Sequence, residues 1–157
     1  MDDFLGVPPS DYIAESALCF AIRDRFPVSV GHTLVIPRRK VATWFDATLA
    51  EQQALMALVA EVKAALDAAY HPAGYNVGFN AGLAAGQTVM HLHVHVIPRY
   101  PGDMPDPRGG VRHVIPERGN YKSPSYQQPP AAGEAPAPPA PPPPAPSSPE
   151  PAPSLPH

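Results

Sequence analysis

His91-Leu92-His93-Val94-His95-Val96 alternates imidazole with aliphatic side chains. An extended strand turns successive side chains to opposite faces, so this spacing predicts a strand with all its imidazoles on one face. Neighbouring rings would stand roughly 6.6 Å apart along that strand. Leu92, Val94 and Val96 then point the other way, where they can anchor the strand on a core. Histidine has no strong strand preference, and a row of titratable rings is poor core filler, so the stretch reads as a site held on a scaffold.

Outward from this row, the periodicity predicts a strand over residues 89–97, stopped by Pro98. Gly82 to Gly86 is a small-residue loop before it, and residues 75–80 read as another strand. The strongest helix signal covers residues 48–70: Thr48 and Glu51 have capping-box spacing, and Leu55, Leu58, Val59, Val62 and Leu66 form one apolar stripe. His71-Pro72-Ala73-Gly74 stops that helix. Residues 17–22 and 32–36 are short apolar, β-branched runs closed by charge or proline, and read as strands. Arg38-Arg39-Lys40 reads as a solvated turn, and Val111 to Ile115 as a short edge strand. One helix among several strands points to an α+β fold with an antiparallel sheet.

Composition sets the limits of that fold. Of 157 residues, 25 are proline, and 14 of those fall in residues 127–157. A segment so rich in proline, with alanine and serine between, lacks the apolar surface to offset its ordering entropy. It is expected to be a disordered, polyproline-like tail that serves as a flexible extension or offers proline motifs to partner grooves. Residues 1–126 are then one folding unit. The net charge is −3, and without the tail's Glu134 and Glu150 it is −1. Near-neutrality argues against a groove for duplex nucleic acid, whose binding rests on summed phosphate contacts. No apolar run has the length of a membrane span, and Met1-Asp2-Asp3-Phe4 is acidic where a secretory signal would be basic. Cys19 is the single cysteine. A cytoplasmic protein with neither membrane nor nucleic-acid partner is expected.

The histidine row admits four chemistries: hydrogen-bonded structural rings, a zinc or copper site, an anion site, or nucleophilic catalysis with the central ring attacking and its neighbours orienting and protonating. Gly86-Gln87-Thr88 stands just before the row, bringing an amide, a hydroxyl and a glycine that lets backbone approach a ligand. These groups suit phosphate better than metal, and residues 81–98 hold no acidic side chain to complete a coordination shell. A phosphorus centre is therefore the better electrophile. A neutral imidazole, with an unperturbed pKa of about 6.5, is a competent nucleophile near pH 7.

From Gly86 through His91-Leu92-His93-Val94-His95-Val96 to Ile97-Pro98-Arg99, the sequence closely resembles the signature of the histidine triad (HIT) family of nucleotide hydrolases and transferases. Gly31-His32-Thr33-Leu34-Val35-Ile36-Pro37 is similar to that family's upstream motif. The Gln-Thr lead-in and Ile-Pro-Arg exit resemble its fragile-histidine-triad branch, the dinucleoside polyphosphate hydrolases. Leu92 departs from the proline of the uridylyltransferase branch, and Thr88 from the serine usual in phosphoramidases.

The resemblance covers about residues 4–121. It implies a HIT-like fold, an antiparallel sheet of about five strands with one main helix. It further implies a hydrolase that cleaves a nucleoside phosphoanhydride, such as diadenosine tetraphosphate, at the α-phosphate. Phosphoramidase and phosphorylase activities of the same family are the alternatives, and a metal protein or a non-catalytic nucleotide-binding module the rivals from other classes.

By resemblance, His93 is the nucleophile and His95 donates to a non-bridging oxygen. His91 fixes the backbone whose carbonyl holds the other nitrogen of His93, and His32 packs against His91. Gln87 and Thr88 donate to the phosphate and leaving group. Asp24 and Asn80 contact the nucleotide, the former at the ribose, while Ile22 and Leu34 flank the base, with Phe4 a further candidate for that role. The resemblance implies no protein-bound cofactor or metal, any magnesium arriving with the polyphosphate, and a homodimer paired through the helix and an adjoining strand.

Overall fold

The computed structural model describes residues 4–129. The chain divides into a unit Met1–Tyr126 and a segment Gln127–His157. The expected tail therefore lies outside the described residues from position 130 onward. In the first unit, strands β1 (Ala14–Glu15), β2 (Cys19–Arg23) and β3 (Thr33–Pro37) precede helix α1 (Leu49–Tyr70), and β4 (Gly74–Gly78) and β5 (Val94–Arg99) follow it. The sheet runs β1-β2-β3-β5-β4, every neighbour antiparallel. The α+β reading with about five strands and one main helix describes this architecture.

Helix α1 starts where its local signals put it. Thr48 Oγ1 accepts from the Glu51 amide at 3.2 Å, and Glu51 Oε2 accepts from the Thr48 amide at 2.8 Å. His71 ends the helix in the left-handed conformation. The predicted stripe then packs on one sheet face: Leu55, Leu58, Val62 and Leu66 meet Cys19, Ala21, Val35, Val94 and Val96. Burying side chains of this kind contributes roughly 1.5–3 kcal/mol each. Gly31, just before β3, has φ 88°, and a Cβ there would lie 2.9 Å from Leu66 Cδ2. Close helix approach and backbone conformation both call for glycine at that turn.

Because strand side chains alternate, the opposite face receives Phe20, Ile22, Leu34 and Ile36. Phe4 closes over them, and Val7, Tyr12 and Val89 pack at the margin. The register opposes Ile22 to Leu34, Leu34 to His95 and Gly78 to His95. This second face therefore carries an apolar floor that runs up to His95, beside a strand position with no side chain.

Three expectations are corrected. The strand expected over residues 89–97 and stopped by Pro98 begins only at Val94 and runs through Pro98 to Arg99. Its ladder with β3 stops at the Val35–Val94 pair, because Pro37 has no N–H to donate and its carbonyl is taken by the His91 ring at 2.9 Å. The edge strand expected at residues 111–115 is instead a 3₁₀ turn, Gly110–Val114, with His113 Nε2 donating to the Arg108 carbonyl across it. The basic cluster is only in part a solvated turn. Arg39 makes a two-pronged ion pair with buried Glu51, both contacts 2.8 Å, which pulls the Glu51 carboxyl down to about 2. Arg38 lies over the Tyr12 and Phe20 rings and pairs with Glu15.

Candidate active site

The row of histidines begins in irregular backbone and enters the sheet only with its third ring, yet the rings gather on the floor face. His93 and His95 meet edge to face with centroids 5.0 Å apart. Phe4 spans the other pair, 5.6 Å from His91 and 5.3 Å from His93. Exposure rises along the row: His91 is 0% exposed and His93 9%, while His95 is half-buried.

Backbone partners fix the proton on each ring, since an N–H can only donate and a carbonyl can only accept. His91 Nδ1 accepts from the Phe4 amide at 3.3 Å, so its proton sits on Nε2, donated to the Pro37 carbonyl. His93 Nδ1 lies 2.8 Å from the His91 carbonyl. The proton of a neutral His93 is therefore on Nδ1, leaving the Nε2 lone pair free. The peptide that carries this carbonyl is pinned at its other end, where the Leu92 amide donates to the Val41 carbonyl at 2.7 Å.

A second chain runs from the loop before β3. The Val28 amide donates to His32 Nδ1 at 3.2 Å, which puts the His32 proton on Nε2. That nitrogen lies 3.0 Å from His95 Nδ1 and 3.4 Å from Asp24 Oδ2. His95 Nδ1 is thus an acceptor, and His95 carries its proton on Nε2. Burial is the main cause that pushes the His95 imidazole down to about 4, with the neighbouring His93 and His32 lowering it further and Asp24 opposing. Burial also lowers His32, against Asp24. Both rings are neutral near pH 7, so the site holds a free imidazole lone pair beside a fixed imidazole N–H donor. That pairing suits attack on a centre that gathers negative charge as it reacts.

The other candidates are dispersed differently. His32 does not pack against His91: the register that opposes Leu34 to His95 brings His32 to the His95 end of the row. Gln87 is no phosphate donor. It is 2% exposed; its amide donates to the Ala42 and Val89 carbonyls at 2.6 and 3.1 Å, and its oxygen accepts from the Gly82 amide at 2.8 Å. Those bonds staple the loop before the triad, whose short 3₁₀ turn ends at Gly86 with φ 84°. Thr88 is exposed beside it. Asp24 is a turn residue, Oδ1 accepting from the Phe26 amide at 2.8 Å, and also the acidic member of the His32 cluster. Ile22 and Leu34 are buried in the floor next to His95. Asn80 is half-buried, two residues beyond Gly78, the partner of His95. The sequence reading missed the Phe4 amide, the Pro37 carbonyl and the Val28 amide; backbone groups carry no sequence signal.

Asp24, His32 and His95 bring ligand atoms within 4.8 Å of one another. Their protons oppose a cation there: metal on His32 Nε2 would return that ring's proton to Nδ1, facing the Val28 amide. Nor do His91, His93 and His95 offer a common point, because both His91 nitrogens are engaged.

Comparison with known proteins identifies the family. The HIT domain family model matches residues 6–102, and the chain belongs to that family. An uncharacterised HIT-like protein of Synechococcus elongatus is 43% identical over 90 residues, 57% of this chain and 78% of that protein. The bis(5'-nucleosyl)-tetraphosphatase (asymmetrical) of Schizosaccharomyces pombe is 39% identical over 77 residues, 49% of this chain and 42% of the enzyme. The AP-4-A phosphorylase of Mycobacterium tuberculosis is 38% identical over 92 residues, 58% of this chain and 47% of the enzyme. The chain thus spans less than half the length of either enzyme. The crystal structure of a HIT family protein from Bacillus anthracis superposes with a TM-score of 0.57 at 35% identity, covering 59% of this chain and 66% of that one.

Proposed function

We propose that this chain hydrolyses a nucleoside phosphoanhydride, with a dinucleoside polyphosphate such as diadenosine tetraphosphate as substrate, through a nucleotidyl-His93 intermediate. The observation that carries this reading is the 2.8 Å bond from His93 Nδ1 to the His91 carbonyl, which leaves Nε2 as a fixed, unprotonated nucleophile. The Nε2 lone pair attacks the α-phosphorus and the bridging P–O bond breaks, releasing the remaining nucleotide. With Nδ1 still protonated, the phosphorylated ring is cationic. The His91 carbonyl dipole stabilises that charge, and the cation is a good leaving group when water attacks in the second step. His95 donates from Nε2 to a non-bridging oxygen as charge builds there.

Thr88, exposed at the mouth of the triad loop, supplies a hydroxyl to the phosphate chain. Ile22 and Leu34 form the apolar floor for the base, while Asp24 and Asn80 bind the sugar and phosphate edge. The protein holds no metal of its own in this reading, and any magnesium enters with the polyphosphate. Names among the relatives support the substrate class, one a tetraphosphatase and one a phosphorylase.

The phosphorylase name favours a second reading, in which inorganic phosphate replaces water as the acceptor. Incubation with dinucleoside polyphosphates, nucleoside phosphoramidates and nucleoside diphosphates, with and without phosphate, tests both. Diadenosine tetraphosphate is expected to give AMP and ATP. Phosphate-dependent ADP would transfer the assignment to a phosphorylase, and no cleavage of any member of the panel would overturn it.

We also propose a cytoplasmic homodimer. Among the described residues no helix is long and apolar enough to cross a membrane. Strand β4 is a sheet edge with Val77 40% exposed, a surface suited to pairing with a second copy.

A further inference from the structure

The segment from Phe4 to Ile13 lies across the floor face before the chain enters the sheet. Tyr12 stacks on Phe20 with centroids 4.4 Å apart, its hydroxyl donates to the Val7 carbonyl at 3.4 Å, and the Ile13 amide donates to the Ala21 carbonyl at 2.9 Å. These contacts fix the segment so that Phe4, 6% exposed, covers His91 and His93 with its ring and aims its amide at His91 Nδ1. That bond joins residues 87 positions apart.

We propose that the Phe4 amide is a positioning group for the nucleophile: by donating to His91 it holds that ring as the Nε2–H tautomer, and through the His91 carbonyl it keeps His93 in the form whose Nε2 is free. The inference rests on His93 being the nucleophile. His91 is fully buried, so each of its nitrogens needs a partner of the right kind. An amide at Nδ1 and a carbonyl at Nε2 admit only one neutral tautomer. A ring locked between Phe4 and Pro37 holds residue 91 in place, and with the Leu92–Val41 bond at the far side its peptide cannot tilt away from His93. Without the amide, His91 Nδ1 loses the backbone donor that selects its tautomer. The ring then exchanges tautomers or swings, and the His91 carbonyl follows.

The test replaces Phe4 with phenyllactic acid by nonsense suppression in the full chain, which preserves the ring and exchanges the N–H for an ester oxygen. Long-range proton–nitrogen correlation spectra of ¹⁵N-histidine-labelled protein read the tautomers directly. Wild type is expected to show His91 protonated at Nε2 and His93 at Nδ1. The ester should show mixed His91 tautomers, a weakened His93 Nδ1–H signature, and kcat about fivefold lower at similar KM, the scale of one hydrogen bond. Phe4→Leu retains the amide and should keep the wild-type tautomers.

Unchanged His91 and His93 signals in the ester protein would overturn the proposal. So would a wild-type spectrum with His91 protonated at Nδ1, which requires no variant at all. If the tautomers shift as expected but wild type cleaves no nucleotide, the positioning stands and the hydrolase reading fails. If wild type cleaves the substrate and the ester protein shows no tautomer shift, the hydrolase reading stands and the positioning role fails.

Discussion

His93→Ala is expected to lower turnover of diadenosine tetraphosphate by about ten-thousandfold or more, the scale seen when a covalent nucleophile is removed. Among the described residues, neither neighbouring ring of the row offers a lone pair in its place. His91 has both nitrogens engaged and no exposed surface. His95 presents a proton rather than a lone pair, because its Nδ1 is turned to His32. The variant should still fold, since helix α1 and its core lie on the opposite face of the sheet, and it should still bind a non-hydrolysable analogue. Residual activity would come from the His95 donor and from substrate orientation acting on water. A variant with normal circular dichroism and near-normal turnover would show that another group attacks.

His95→Ala is expected to cost about a hundredfold to a thousandfold in kcat, as for loss of one preorganised donor to a developing oxyanion, with a smaller change in KM. Burial holds the His95 imidazole near 4, so it acts as a neutral donor across the neutral range. Its loss should therefore scale the rate by the same factor from pH 6 to 8 rather than reshape the profile. Sulfur in place of the non-bridging α-oxygen accepts hydrogen bonds weakly. The wild type should slow on that substrate more than the variant does, because only the wild type has a donor whose bond is weakened. Equal slowing in both would remove His95 from the non-bridging oxygen.

What could be read from the residues alone followed how local each determinant is. The helix was legible because Thr48, Glu51 and the Leu55 to Leu66 stripe lie within that helix and its N-cap. The face shared by the histidines was legible from alternation, although only His95 is in a strand. The strand boundary was not, because the ladder ends when a histidine side chain claims a backbone carbonyl at Pro37. The partner of His32 was misread for a related reason. Chain order gives no hint of which triad ring lies beside it, and that is decided by the β3–β5 register. Gln87 has the right chemistry for a phosphate and the wrong direction: the fold of its loop points its amide at Ala42 and Val89. Arg39 likewise reads as solvent-facing until helix α1 brings Glu51 beneath it.

The most direct measurement is acid-free quenching of the enzyme during turnover of α-phosphate-labelled diadenosine tetraphosphate, followed by peptide mapping. Label should be found on the peptide containing His93, in an acid-labile and base-stable bond to nitrogen, and be absent from His93→Ala. Full turnover with no label on the protein at any time, or label at a different residue, would contradict a nucleotidyl-His93 intermediate.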